Sequence, residues 1–329
     1  MNNKIKELLD EARQTYRDED IKPICIPSYN RPNCTSIDLV CSNYHGKVYL
    51  FIYPEQIELY KHFTDKYDCL EIIPCVGFKG IIDKRNFVIN TMNKIGHEYF
   101  YFLDDDILTL DIPDRRKSSG KCYRNYLKQI NSSDFFKLWQ LGIEKYNTNK
   151  NWLICGPNQK ANSWSYDLDK ANKYITSLSF TYSCFALNCK NAVNKNIYYR
   201  KNVGWDDLDF FLQGIINGLD SFKIIFIIME AASMKETKSV ANNSVGKHYQ
   251  NNILTYNTWG SDLLELKYLN SPLISSNFFT KLIKKNAKCI LNGNRKFILR
   301  YEQRYLDAIK NDTLLDLLKE EKYGKDKEK

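Results

Sequence analysis

Apolar and polar residues follow two rhythms along this chain. In MNNKIKELLDEARQTYRDED, residues 1–20, Ile5, Leu8, Leu9, Ala12 and Tyr16 fall on one side at three- and four-residue spacing, which predicts an amphipathic N-terminal helix. Short apolar runs then appear at 21–29 (IKPICIPSY), 47–54 (KVYLFIYP) and 69–75 (CLEIIPC). Asn30-Arg31-Pro32 closes the first run and Pro54-Glu55 the second, so these runs read as strands. Ser36 to Asn43 reads as a short helix between the first two strands, and QIELYKHFTDKY has helical spacing after the second. The glycine-punctuated VGFKGI leads into a predicted helix from about Lys84 to Ile95, and EYFYFLDD, from Glu98, reads as a fourth strand. A helix at 133–146, strands at 151–157 and 181–189, a helix at 206–217 and a strand at 223–230 complete the order. Strand and helix alternating in this way predict right-handed crossovers and an α/β, Rossmann-like fold: a mainly parallel sheet flanked by helices. The expected organisation is an N-terminal helix over 1–20, one α/β domain over 21–250 and a basic, mainly helical C-terminal region over 251–329.

In open α/β sheets, ligands lie beyond the carboxyl ends of the strands. Asn30-Arg31, Glu55, the Gly77 to Arg85 stretch and Asp104-Asp105-Asp106 all fall at such ends. Three adjacent carboxylates repel one another unless cations, water or hydrogen-bond donors offset the charge. Hard divalent cations want oxygen ligands, few of them from protein, with the rest from water and phosphates. Alternatively, the aspartates cap a turn or helix near Ile107. Arg85, at a helix start behind two glycines, is placed to meet a diphosphate, or it solvates a surface turn. In GWDDLDFF, Asp206, Asp207 and Asp209 occupy a first helical turn, where the helix dipole favours acids without any catalysis. The same cluster beside Trp205 also suits a general base facing an acceptor pocket.

Composition narrows the picture. Hydrophobic residues make up 43% of the chain and charged residues 26%, values of a globular protein. The most apolar stretch, IIFIIMEAA at 224–232, is short and carries Glu230, so no membrane span is expected. The N-terminus lacks the apolar core of a signal peptide, and the 10 Cys form no CxxC pair; a reducing, cytoplasmic setting follows as the expectation. A net charge of +9 favours phosphate-rich partners. From Lys281 to Lys329 there are 14 Lys and Arg against 8 Asp and Glu, so much of the surplus sits at the C-terminal end.

Taken in order, ICIPSYNRP, DKRN, YFYFLDDDI and WDDLDFF resemble the GT-A class of glycosyltransferases, over roughly residues 21–235. The resemblance implies a metal-dependent transferase, using Mn2+ or Mg2+ and a nucleotide-sugar donor, with a UDP-sugar such as UDP-glucose as the default. It places Pro27, Ser28, Tyr29, Arg31 and Glu55 at the nucleotide base and Arg85 on the diphosphate. It puts Asp104 on the ribose and at the metal, Asp106 on the metal, and Asp105 between them. Inverting members carry an acidic pair at the start of a later helix, which maps to Asp206 and Asp207, with Asp207 as catalytic base and Asp209 as fallback. A late histidine that ligates the metal in some members maps to His248. With the basic C-terminal region, the pattern looks like the TET/JBP-associated branch, linked to phages and thought to glycosylate hydroxymethylated bases in DNA. That implies a DNA acceptor and a host-cell cytoplasmic setting. Lys281, Lys284, Lys285, Lys288, Arg295, Lys296, Arg300 and Arg304, with Phe297, Tyr301 and Tyr305, would then face the nucleic acid. A protein or glycan acceptor is the other reading, and salt-sensitive binding to duplex DNA separates the two.

Overall fold

The computed structural model describes residues 3–78, 80–114, 127–147, 150–160, 174–177, 179, 181–232, 251, 254–255, 257–259, 264–268, 277–280 and 295–301. The chain divides into two compact units, Met1–Tyr199 with Leu219–Thr237, and Arg200–Gly218 with Lys238–Lys329.

The first unit opens with helix α1 (Asn3–Thr15), strand β1 (Ile24–Pro27), α2 (Thr35–Cys41), β2 (Val48–Ile52), α3 (Ile57–Thr64), β3 (Leu70–Pro74), α4 (Ile81–Lys94) and β4 (Phe100–Leu103). Next come β5 (Ile107–Pro113), β6 (Leu127–Gln129), α5 (Ser132–Tyr146), β7 (Trp152–Gln159), β8 (Ile175–Ser177), β9 (Cys184–Leu187), α6 (Cys189–Asn194) and, after the second unit's insertion, β10 (Asp220–Ala231). The sheet runs β3-β2-β1-β4-β9-β7-β10-β5-β6, with β8 paired to β10 off that path. β3, β2, β1 and β4 are parallel neighbours, as are β7 and β10. β9 runs antiparallel to both β4 and β7. The strand and helix rhythm of the first hundred residues therefore yields the expected parallel half, and β4 delivers the three aspartates at its carboxyl end.

Ile107 does not begin a helix. ILTLDIP continues as β5, which pairs with β10.

α1 buries Ile5, Leu8, Leu9 and Ala12, the stripe expected from its spacing. Arg13 holds it to α5 through two bonds to Asp134, at 2.8 and 2.6 Å, and the Tyr16 hydroxyl donates to Glu144 at 2.6 Å. Under the sheet, Phe136 and Trp139 of α5 pack against Tyr101 of β4, with ring centroids 5.0 and 4.8 Å apart. Each such buried aromatic removes about 150–250 Å² from water, a substantial apolar contribution to stability. Phe102, on the opposite face, stacks on Phe185 of β9 at 5.1 Å.

The second unit contains α7 (Asp206–Ile216) and a sheet of β11 (Leu264–Tyr268), β12 (Asn277–Thr280) and β13 (Arg295–Tyr301) in the order β11-β13-β12. Residues 251–329 were expected to be mainly helical. Among the described residues, 251, 254–255 and 257–259 are helical and 264–268, 277–280 and 295–301 are strand. Arg295, Lys296, Phe297, Arg300 and Tyr301 thus lie on β13: RKFILRY carries an aromatic and β-branched run whose strand preference outweighs a helical reading based on charge. Lys281, Lys284, Lys285, Lys288, Arg304 and Tyr305 lie outside the described residues.

Candidate active site

The segment after β1 folds back over the sheet end. Asn30 takes a left-handed conformation, φ 53°, which asparagine tolerates better than most residues, and Arg31 follows it. The Arg31 backbone N–H donates to the Tyr60 hydroxyl at 2.9 Å, and that hydroxyl lies 2.7 Å from Ser28 Oγ. Ser28 Oγ donates to Asp105 Oδ2 at 2.5 Å, and Arg31 Nη1 reaches Asp105 Oδ1 at 2.6 Å and Asp106 Oδ2 at 3.5 Å. On the other side, Arg85 Nη2 lies 3.7 Å from Asp104 Oδ1. The three carboxylates are therefore divided between two guanidinium groups. Asp105 faces the β1 segment, Asp104 faces α4, and Asp106 shares Arg31.

The backbone of the triplet is pinned as firmly. The buried Ser36 hydroxyl donates to the Asp104 carbonyl at 2.6 Å and accepts from Ile107 N at 2.8 Å. The Cys34 thiol donates to the Asp105 carbonyl at 3.4 Å. Asp104 N donates to Ser183 O at 2.6 Å, and Ala232 N donates to Asp106 O at 2.8 Å. Burial pushes the Asp104 carboxyl up to about 6, against the pull of Arg85, with Asp106 and Asp105 adding to the rise. Burial likewise raises Asp106, opposed by Arg31 and reinforced by Asp105. Both carboxylates hold their charge reluctantly, so a further cation beside them is favoured.

Pro27, Ser28, Tyr29, Arg31, Arg85 and Asp104 to Asp106 are thus gathered at one end of the sheet. Glu55, exposed in the turn after β2, acts on the charge of Lys84. Lys84 itself went unnoticed beside Arg85. It is 1% exposed, donates to Ser28 O at 2.5 Å and lies 4.3 Å from the Tyr53 ring centroid. Adjacent residues on a helix diverge by about 100°, so Lys84 serves the β1 segment while Arg85 serves β4. The signal was present in DKRN: two successive cations cannot both face water at a helix start packed on a sheet. Tyr53 and Tyr60 complete this substructure, Tyr53 OH donating to Gly80 O at 3.1 Å.

In the second unit, Asp206 and Asp207 open α7 and are partly exposed. Asp209 cannot act as the fallback base. It is fully buried, its carboxylate pairs with Arg200 through both oxygens, and it also accepts from Gln213 at 2.8 Å and from Trp259 Nε1 at 3.0 Å. Its lone pairs are committed to structure. Gly204, just before α7, has φ 84°, and a Cβ there would lie 2.1 Å from Asn251 O. His248 lies outside the described residues.

Among the described residues, no group of three or more His, Cys, Asp or Glu is placed to hold a metal. A Mg2+- or Mn2+-type ion needs only one or two carboxylates when phosphates and water supply the remaining ligands. Asp104 and Asp106, both oxygen donors whose ionised form is disfavoured by burial, fit that case.

A family profile described as TET-Associated Glycosyltransferase matches residues 22–243. The chain belongs to this family. The match takes in every site residue named above in β1, α4, β4 and α7, and stops short of His248. The fold is mixed α/β, with a central sheet flanked by helices. Among solved structures, the chain is similar to TarS 1–349 of S. aureus in complex with UDP-GlcNAc, with TM-score 0.44 and 11% identity over 72% of this chain and 66% of that one. It is also similar to glucosyl-3-phosphoglycerate synthase from Mycobacterium tuberculosis in complex with Mg2+ and UDP, with TM-score 0.36 and 8% identity over 74% and 82%. A third likeness is to the glycosyltransferase GlyE of Streptococcus pneumoniae TIGR4, with TM-score 0.34 and 13% identity over 73% and 50%. The chain spans just under two thirds of the TarS 1–349 chain and 44% of the longer TarS chain. No curated protein matches it. No helix among the described residues is long and apolar enough to cross a membrane.

Proposed function

We propose that this member of the TET-associated glycosyltransferase family transfers a hexose, with UDP-glucose as donor, to the hydroxymethyl group of a modified base in DNA, inverting the anomeric carbon. The reading is supported above all by the triple aspartate flanked by Arg31 and Arg85 at the ends of two parallel strands. Ser28, Tyr29 and Arg31, with Pro27 and Glu55, receive the nucleotide base. Arg85 meets the diphosphate and Asp104 the ribose. Asp106, with Asp104, would hold a divalent cation, which supplies charge neutralisation on the departing diphosphate. His248 is a further candidate ligand.

Asp207 takes the proton of the base hydroxymethyl group as its oxygen bonds to the sugar's anomeric carbon and the bond from that carbon to the diphosphate breaks. Asp206 supports it. In this reading residues 21–250 form the catalytic domain, the basic region beyond 251 meets the DNA backbone, and the protein works in the cytoplasm of a phage-infected cell. The test is incubation with Mn2+, a panel of sugar nucleotides and DNA containing hydroxymethylated pyrimidines, followed by nucleoside mass analysis. A gain of one hexose on the modified base is expected. Release of UDP without any change in nucleoside mass would instead point to a protein or glycan acceptor.

A further inference from the structure

The segment that follows α6 is clipped to α4. Ile197 and Tyr199 are buried and Tyr198 between them is exposed, the alternation of an extended chain with every second side chain turned inward. Asn86 of α4 pairs with both backbone polar groups of Tyr199. Its Nδ2 donates to Tyr199 O at 2.8 Å, and Tyr199 N donates to its Oδ1 at 2.8 Å. One side-chain amide thus takes the place of a neighbouring strand and fixes which residue of the segment lies against the helix. The ring of that residue sits over Arg85, with the guanidinium carbon 4.9 Å from the Tyr199 ring centroid. A second ring, Phe102 of β4, lies 5.9 Å from the same carbon and is itself stacked on Phe185. All of these residues belong to the first unit.

Arg85 is 7% exposed, so its charge has given up most of its water. Asp104 does not hold the guanidinium in one orientation, because the 3.7 Å between Arg85 Nη2 and Asp104 Oδ1 exceeds hydrogen-bond length. An aromatic face offsets the desolvation of a guanidinium and also sets its plane. The five N–H donors of arginine lie in that plane, so stacking on a ring makes no claim on them. A carboxylate in the place of the ring would compete for those donors and repel a phosphate.

We propose that Tyr199 is a positioning residue for the donor's diphosphate: its ring, clipped in place by Asn86, sets the plane in which Arg85 presents its N–H edge. Tyr199 is 2% exposed and acts through Arg85, not on the substrate. This role rests on Arg85 meeting the diphosphate in the proposed function. It adds a requirement that the aspartates do not impose, an aromatic face beside the guanidinium. Phenylalanine meets that requirement and an aliphatic side chain does not.

The test is the ratio of UDP affinity to UMP affinity, measured by calorimetry on the full chain in Mn2+. The ratio reports the second phosphate, and a general loosening of the site cancels from it. Tyr199→Leu is expected to lower the ratio by about fivefold or more, and Tyr199→Phe to hold it within about twofold of the wild type. Arg85→Met is expected to lower it at least as far as Tyr199→Leu, and the double variant no further than Arg85→Met alone, because Tyr199 acts only through that guanidinium. If Tyr199→Leu does not fold, Tyr199→Met takes its place under the same criteria. An unchanged ratio in Tyr199→Leu while Arg85→Met lowers it overturns the proposal and leaves the proposed function standing. So does a Tyr199→Phe as impaired as Tyr199→Leu, or a double variant in which the two losses add. An Arg85→Met whose ratio matches the wild type, or a wild type that binds no UDP, overturns the donor reading itself and the role of Tyr199 with it.

Discussion

Three adjacent carboxylates are tolerated here because two guanidinium groups and a hydroxyl donor surround them. Asp105 turns inward to Ser28 and Arg31, and Asp104 and Asp106 keep guanidinium groups beside them. The geometry depends on Ser36, which is wholly buried and joins the two ends of the triplet. Ser36→Ala strands a buried carbonyl and a buried N–H and is expected to cost about 1–3 kcal/mol in denaturant unfolding. It should also weaken nucleotide binding, because the aspartates lose their fixed backbone. The two acidic residues of α7 should separate cleanly. Asp207→Asn is expected to fold and bind donor normally while losing turnover. Asp209→Asn, which leaves Arg200 without its buried partner, is expected to lose on the order of 3 kcal/mol of stability.

Strand-end position made Arg85 and the aspartates visible in the sequence. The inward turn of Asp105 was not visible, since its partners lie 77 and 74 positions earlier and only the fold joins them. Asp209 misled for the opposite reason. A first-turn aspartate looks available until its partners Gln213, Arg200 and Trp259 are in place.

At the scale of elements, spacing was a good guide to identity and a poor one to direction. Apolar runs located β1 to β4, and three- and four-residue periods located α1, α5 and α7. A four-residue run such as CFAL looks the same in either sense, so the reversal of β9 between β4 and β7 was hidden. Packing between elements leaves its own test. Gly142 lets α5 approach β10, and a Cβ there would come within 2.6 Å of Ile224 Cδ1. Gly142→Ala should gain helix propensity yet destabilise the protein by about 1–3 kcal/mol through overpacking, read as a lower unfolding midpoint. Combining it with Ile224→Val should restore part of the loss, because the branch that clashes is shortened.

For the molecule as a whole, family membership and the strand-end site converge. The first unit brings the base-side segment, the α4 cations and the aspartates to one sheet end. The second unit, taken by itself, contains the acidic start of α7 and a three-stranded sheet, β11 to β13. The surplus positive charge remains a feature of composition that bears on DNA only through the proposed acceptor.

Calorimetric titration of UDP into the wild type and Asp106→Ala, each with Mn2+ and with EDTA, tests whether Asp104 and Asp106 hold a divalent cation against a nucleotide diphosphate. Wild-type binding is expected to require Mn2+, and Asp106→Ala to be weakened at least tenfold in its presence. Wild-type binding indifferent to EDTA, or an Asp106→Ala isotherm matching the wild type in Mn2+, would contradict it.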